Sequence, residues 1–185
     1  MKQWLCILLL AAGAAVQAAP EAAAEDELGQ FLAENRLLAT LGQMSHTVTD
    51  RASDLVVTAM GFLGVPYRRG GSSVDTGFDC SGFVQAMYQS TAGLVLPRRA
   101  NEQAAATESI DRKDLQPGDL VFFNTLKRTF SHVGIYIGEN KFIHSPKPGA
   151  QVRVEDMGVP YWKRRFDGAR RVLAGQPAQP QQAQH

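Results

Sequence analysis

Phe78-Asp79-Cys80-Ser81-Gly82-Phe83-Val84 organises the rest of the chain, because Cys80 is one of only two cysteines and opens a helical pattern. Phe83, Val84, Met87, Tyr88 and Thr91 recur at helical spacing and mark one buried face. Cys80 lies one turn before Phe83 and Val84, which points its sulfur toward that face at the helix entrance. Asp79 is the expected N-cap, a structural role, and Ser81 and Gly82 keep the first turn small. A thiol there meets unpaired backbone N–H groups and the positive end of the helix dipole, both of which favour thiolate. A free cysteine, with a pKa of about 8.5, is only a few per cent ionised at neutral pH. The stretch therefore reads as an activated nucleophile that requires a histidine.

The surrounding chain has 185 residues, 44% hydrophobic and 20% charged, which suits one globular domain with flanking segments. A formal net charge of +1 supplies no field to attract nucleic acid or an anionic membrane. Residues 1–18 read as a signal peptide: Lys2 gives the positive start, Leu5 to Leu10 the apolar run, and Val16-Gln17-Ala18 the small residues for cleavage. That run is too short and alanine-rich for a membrane span. Cys6 lies too close to the start for a lipoprotein acceptor, so no lipid anchor is expected, and cleavage after Ala18 removes it. The exported chain then carries Cys80 alone in an oxidising compartment, where an unpaired thiol is either reactive or buried and inert. Residues 19–50 read as a spacer and a loosely amphipathic helix at 28–46, and residues 175–185 as a disordered Gln/Pro tail.

Residues 51–174 form the expected domain. A helix is predicted from about Arg51 to Phe62 after Asp50 as cap, then a turn-rich segment to Gly71, the cysteine helix, and a short helix from Leu96 to about Ala106. Strands are expected at Leu120 to Phe123, His132 to Ile137, Lys141 to His144, Gln151 to Val154 and Ala169 to Leu173. Helices first and strands afterwards indicate α+β, with the nucleophile helix packed on an antiparallel sheet. His132 alternates with Gly134 and Tyr136 on one face, and Gly134 is expected to admit the cysteine helix beside His132. His144 shares a face with Phe142 on the next strand. With paired residues pointing the same way, the two histidines share a face only if the intervening loop is odd, for example Gly138 to Asn140. Cys80 would then attack a carbonyl, His132 would shuttle the proton, and His144 would orient His132. The Cys80 N–H and the Tyr67 hydroxyl are the expected oxyanion donors.

Asp79-Cys80-Ser81-Gly82-Phe83-Val84, His132-Val133-Gly134-Ile135-Tyr136-Ile137-Gly138 and Phe142-Ile143-His144 resemble the NlpC/P60 family of cysteine peptidases. So do Val65-Pro66-Tyr67 with Gly70-Gly71, Leu96-Pro97-Arg98 and Leu115-Gln116-Pro117-Gly118-Asp119-Leu120. Pro160-Tyr161-Trp162 through Leu173 resembles the short Gram-negative murein endopeptidase branch. The resemblance implies a papain-like fold, a Cys80, His132, His144 triad, and Tyr67 and Ser81 near the substrate cleft. It also implies cleavage of peptidoglycan stem peptides at diaminopimelate, at either the γ-D-Glu or the D-Ala bond. Arg98-Arg99-Ala100 stands where the family usually has Arg followed by Ser or Thr.

Other readings of the same residues are an amidase or acyltransferase with Cys-His chemistry and an inactive wall-binding module. A zinc site from Cys80, His132 and His144 lacks the close ligand pairs of structural zinc, so neither metal nor cofactor is expected. Lys163, Arg164, Arg165, Arg170 and Arg171 read as a solvated basic edge. The helix at 28–46 is the candidate contact for a regulatory protein partner.

Overall fold

Leu120, Val121, Phe122 and Phe123 are buried on both sides, and the main sheet is laid out around them. The structure, a computed structural model, describes residues 51–173. The signal peptide, the spacer with its 28–46 helix, the Asp50 cap and the 175–185 tail lie outside the described residues.

Helix α1 covers residues 51–60 and buries Leu55 and Ala59. A two-stranded ribbon follows, β1 (Ser72–Ser73) with β2 (Gly77–Phe78), and leads directly into α2 (Cys80–Ala92). Helix α2 ends at Gly93, whose φ of 67° is left-handed and allows its N–H to turn back to Gln89 O. Helix α3 (Ala100–Ala105) is next, and then β3 (Glu108–Ile110), a 3-10 turn at Arg112–Asp114, and β4 (Leu120–Phe123). Strands β5 (His132–Gly138), β6 (Lys141–His144) and β7 (Arg153–Asp156), the short α4 (Pro160–Lys163) and β8 (Phe166–Arg171) complete the domain. The six-stranded sheet has the order β3-β8-β4-β5-β6-β7, and every neighbouring pair is antiparallel. The expected α+β architecture, with the nucleophile helix on an antiparallel sheet, is the observed one.

Helix α2 is held more by packing than by propensity. Gly82 sits in its first turn at a cost of about 1 kcal/mol relative to alanine. Burial of Phe83, Val84 and Met87 contributes roughly 1.5–3 kcal/mol each and outweighs that cost. These side chains meet Leu120, Phe122, Val133, Ile135 and Ile143 on one face of the sheet. Val121, Phe123, Phe142, Met157 and Trp162 form a second core on the other face.

Several boundaries differ from expectation. The short third helix starts at Ala100, not Leu96, because Pro97 holds the residue before it extended. Strand β7 starts at Arg153, two residues late, since Gln151 makes only a lone bridge to Pro66. Strand β8 is shifted to Phe166–Arg171, where it is pinned between β3 and β4. Strands β1, β2 and β3 and helix α4 are too short to carry a hydrophobic period, so no local pattern announces them. Arg171 is no solvated edge either: its guanidinium bridges to the buried Asp119 at 2.7 Å and ties β8 to β4. Arg170 lies over the Phe130 ring and donates to Ala104 O.

Candidate active site

The first turn of α2 is built around Asp79. Its Oδ1 accepts from the Gly82 N–H at 2.8 Å, the N-cap expected from sequence, and its Oδ2 accepts from the Gly70 N–H at 2.9 Å. Arg98 grips both oxygens, Nη1 to Oδ1 at 2.9 Å and Nη2 to Oδ2 at 2.7 Å. Burial alone would raise the Asp79 pKa, but Arg98 and the two N–H groups outweigh it and hold the carboxyl below its usual range. Gly82 is required here for space: a Cβ at that position would lie 2.1 Å from Gly71 O. Ser81 is buried, and its hydroxyl accepts from Arg98 Nη1 at 3.0 Å, while its carbonyl accepts from Gln103 of α3.

Cys80 follows, partly buried, with its thiol surrounded by the backbone N–H groups of Val133, Ser81 and Cys80 itself. These favour thiolate, as the helix entrance predicts. Burial opposes them and is the larger effect, and the adjacent Asp79 carboxylate adds to it, so the pKa is pushed up to about 11. The expectation of a thiol ionised by the helix mouth is thus overturned by desolvation. The half-buried Tyr67 is also raised, by burial first and then by the charges of Cys80 and Asp79, which puts its phenol within electrostatic reach of the thiol.

The two histidines meet as a pair. His132 Nε2 lies 2.6 Å from His144 Nδ1, with the rings at 85° to one another, and both side chains are buried. The loop between their strands is nevertheless even: Glu139 and Asn140, with φ of 49° and 59°, make a two-residue hairpin turn. A β-bulge between Tyr136 and Gly138 supplies the missing odd residue and restores the shared face. Loop parity alone is therefore an incomplete rule.

Gly134 plays a different part from the one expected. A Cβ there would meet Phe142 Cδ2 at 2.6 Å and His144 Cβ at 3.1 Å, so the glycine makes room for β6, not for the cysteine helix. Helix α2 packs on the opposite face, and its first residue reaches the His132 end of β5, where the Val133 N–H meets the sulfur. Ser145 locks that junction, since its buried hydroxyl donates to Phe78 O at 2.7 Å and ties the residue after His144 to the segment before Cys80.

Two further residues complete the histidine face: Glu155, which no local pattern marks, and Trp162, whose stretch carries the family resemblance but no expected role. Trp162 stacks on His132, with centroids 5.7 Å apart, and meets His144 edge-on at 5.2 Å. Glu155 Oε1 lies 3.8 Å from His144 Nε2 and accepts from Arg153 Nε, while its Oε2 accepts from Trp162 Nε1. Burial pushes His132 well below the usual imidazole range, helped by His144 and opposed by Glu155. His144 is also lowered, again by burial first. Glu155 would be raised by burial but is carried down to about 2 by His144, Trp162 and Arg153. Among the described residues no group of three His, Cys, Asp or Glu side chains is placed to hold a metal ion.

An α+β domain that sets a helix-entrance cysteine against two paired strand histidines defines a class, and comparison gives its name: residues 64–171 match the NlpC/P60 family, and the chain belongs to it. It is 46% identical over 114 residues to murein DD-endopeptidase MepH of Escherichia coli (strain K12), covering 60% of this chain and 42% of that one. It is 48% identical over 111 residues to murein DD-endopeptidase MepS/murein LD-carboxypeptidase of the same organism, covering 60% and 57%. The crystal structure of an NlpC/P60 family protein from Bacillus cereus ATCC 10987 superposes with a TM-score of 0.60 at 39% identity, covering 65% of this chain and 39% of that one. The chain thus spans about half the length of the curated relatives it matches.

Proposed function

We propose that this protein is a cysteine endopeptidase that cuts peptidoglycan stem peptides at diaminopimelate. The observation that carries this reading is the 2.6 Å bond from His132 Nε2 to His144 Nδ1 at the end of β5 where the Cys80 sulfur sits. That bond leaves His132 Nδ1 as the ring nitrogen available to the thiol. The Cys80 proton moves to His132 Nδ1 as sulfur bonds to the scissile carbonyl carbon. The protonated His132 then delivers that proton to the leaving amine as the C–N bond breaks, and water, activated by the same ring, hydrolyses the thioester. His144 orients His132, and the Cys80 N–H with the Tyr67 hydroxyl receives the oxyanion. Ser81, held by Arg98, shapes the floor beside the thiol.

Of the two diaminopimelate bonds, this reading takes the D-Ala crosslink, supported by the E. coli relatives at 46% and 48% identity, whose names include murein DD-endopeptidase. Residues 1–18 act as an export signal, and the site of action is the periplasm. The experiment is digestion of purified muropeptides followed by mass spectrometry. Crosslinked dimers are expected to fall to monomers with a new free amine on diaminopimelate, and Cys80→Ala to lose at least about 1,000-fold in rate. Cleavage next to muramic acid, or an unimpaired Cys80→Ala, would overturn the assignment.

A further inference from the structure

We propose that Glu155 is a positioning residue for this site: its carboxylate, 3.8 Å from His144 Nε2, dictates which nitrogen of each ring carries the proton. The inference rests on the reading of His132 as the base. Two neutral imidazoles joined by one bond have two equivalent arrangements. In one, His132 donates from Nε2 and keeps a lone pair on Nδ1. In the other, His144 donates from Nδ1, the His132 proton sits on Nδ1, and His132 cannot take a proton from the thiol. Nothing within the pair chooses between them.

Glu155 breaks the tie. Its pKa of about 2 keeps it ionised, and a carboxylate only accepts hydrogen bonds. His144 Nε2 is buried and has no hydrogen-bond partner, so the carboxylate beside it is the acceptor that rewards a proton there. A proton on His144 Nε2 makes Nδ1 an acceptor, the 2.6 Å contact then takes its proton from His132 Nε2, and His132 Nδ1 is left open toward Cys80. The 3.8 Å separation exceeds a direct hydrogen bond at rest and shortens when charge develops on the rings.

The surroundings support the role. From β7, Arg153 donates to Glu155 Oε1 and partly offsets its charge. Trp162 of α4 joins both ends, since its indole N–H donates to Glu155 while its ring stacks on His132. A shift of Glu155 would therefore reach His132 along two routes.

The test reads imidazole tautomers in the full chain at neutral pH by 15N long-range correlation spectra, with Glu155→Gln and Glu155→Asp beside it. In the wild type both His132 and His144 are expected in the Nε2–H form. Glu155→Gln, whose amide can donate to His144 Nε2, is expected to shift the pair toward Nδ1–H, and Glu155→Asp to restore it. On muropeptides Glu155→Gln is expected to lower kcat about 100-fold with KM little changed, less than loss of a directly attached orienter because it acts one ring further out. The acid limb of its kcat/KM profile should move to lower pH, since imidazolium loses a stabilising charge. An Nδ1–H His144 in the wild type, or unchanged tautomers and pH profile in a folded Glu155→Gln, would overturn the proposal. A wild type inactive on every muropeptide but with Nε2–H rings would sink the peptidase reading and leave this inference standing.

Discussion

At the scale of single residues, Cys80 illustrates how a local signal is outvoted. The Cys80 and Ser81 N–H groups of the helix entrance and the Val133 N–H of β5 pull its proton off, while burial and the Asp79 carboxylate push it back harder. Asp79 cannot be dispensed with, since it caps α2 and anchors Arg98. On the proposed mechanism, Cys80 and His132 rest as a neutral thiol and a neutral imidazole, and charge arises by transfer between them when substrate is in place. With a pKa of about 11 only about one thiol in ten thousand is ionised at pH 7. Alkylation of the free enzyme by iodoacetamide is expected to accelerate continuously from pH 7 to beyond pH 9. A plateau near neutrality would show that the helix entrance prevails after all.

Among the elements, the β5–β6 hairpin decides whether the histidine pair exists. An even turn alone would send His144 to the face covered by α2; the extra residue of the bulge at Ile137 brings it back beside His132. The turn carries a cost, because Glu139 holds a φ of 49°, a region that costs a non-glycine residue about 1–2 kcal/mol. Asn tolerates that conformation better, and the exposed Glu139–Lys141 pair that would be lost is worth less than about 1 kcal/mol. Glu139→Asn is thus expected to stabilise the domain by roughly 0.5 kcal/mol in urea unfolding with activity unchanged. Asn140 should be left in place, because it already donates to Asp156 and accepts from Arg112.

For the molecule as a whole, the two buried histidines make stability fall toward acid. Their folded pKa values lie below the ordinary 6.5, so under pH 6.5 the unfolded chain binds more protons than the folded one. The stability they contribute is complete above pH 6.5 and declines below it, at a limiting slope of about 1.4 kcal/mol per pH unit for each ring. Glu155 acts in the same direction at lower pH, between 4.5 and about 2. Cys80 acts at the opposite end: its folded pKa is raised from 9.0, so its contribution is present below pH 9 and lost as pH rises toward 11. Melting temperatures from pH 4 to 10 are expected to trace a dome, with the acid side flattened in His132→Ala relative to its own maximum. An acid limb of unchanged steepness in that variant would count against the burial of a neutral His132.

The sequence alone determined the nucleophile helix, its Asp79 cap, the three residues of the proposed triad and the helices-then-strands order, because each is written in contacts between near neighbours or in a period along one strand. The family membership follows from the same motifs, matched over residues 64–171. Only the tertiary structure decided which face of the sheet receives α2, how the bulge corrects the hairpin parity, that Ser145 clamps Phe78, and that Glu155 and Trp162 close the histidine face. Those features depend on residues far apart in the chain and on how completely each charge is removed from water. Desolvation is a property of the packed whole, so no stretch of residues, however telling, specifies it by itself.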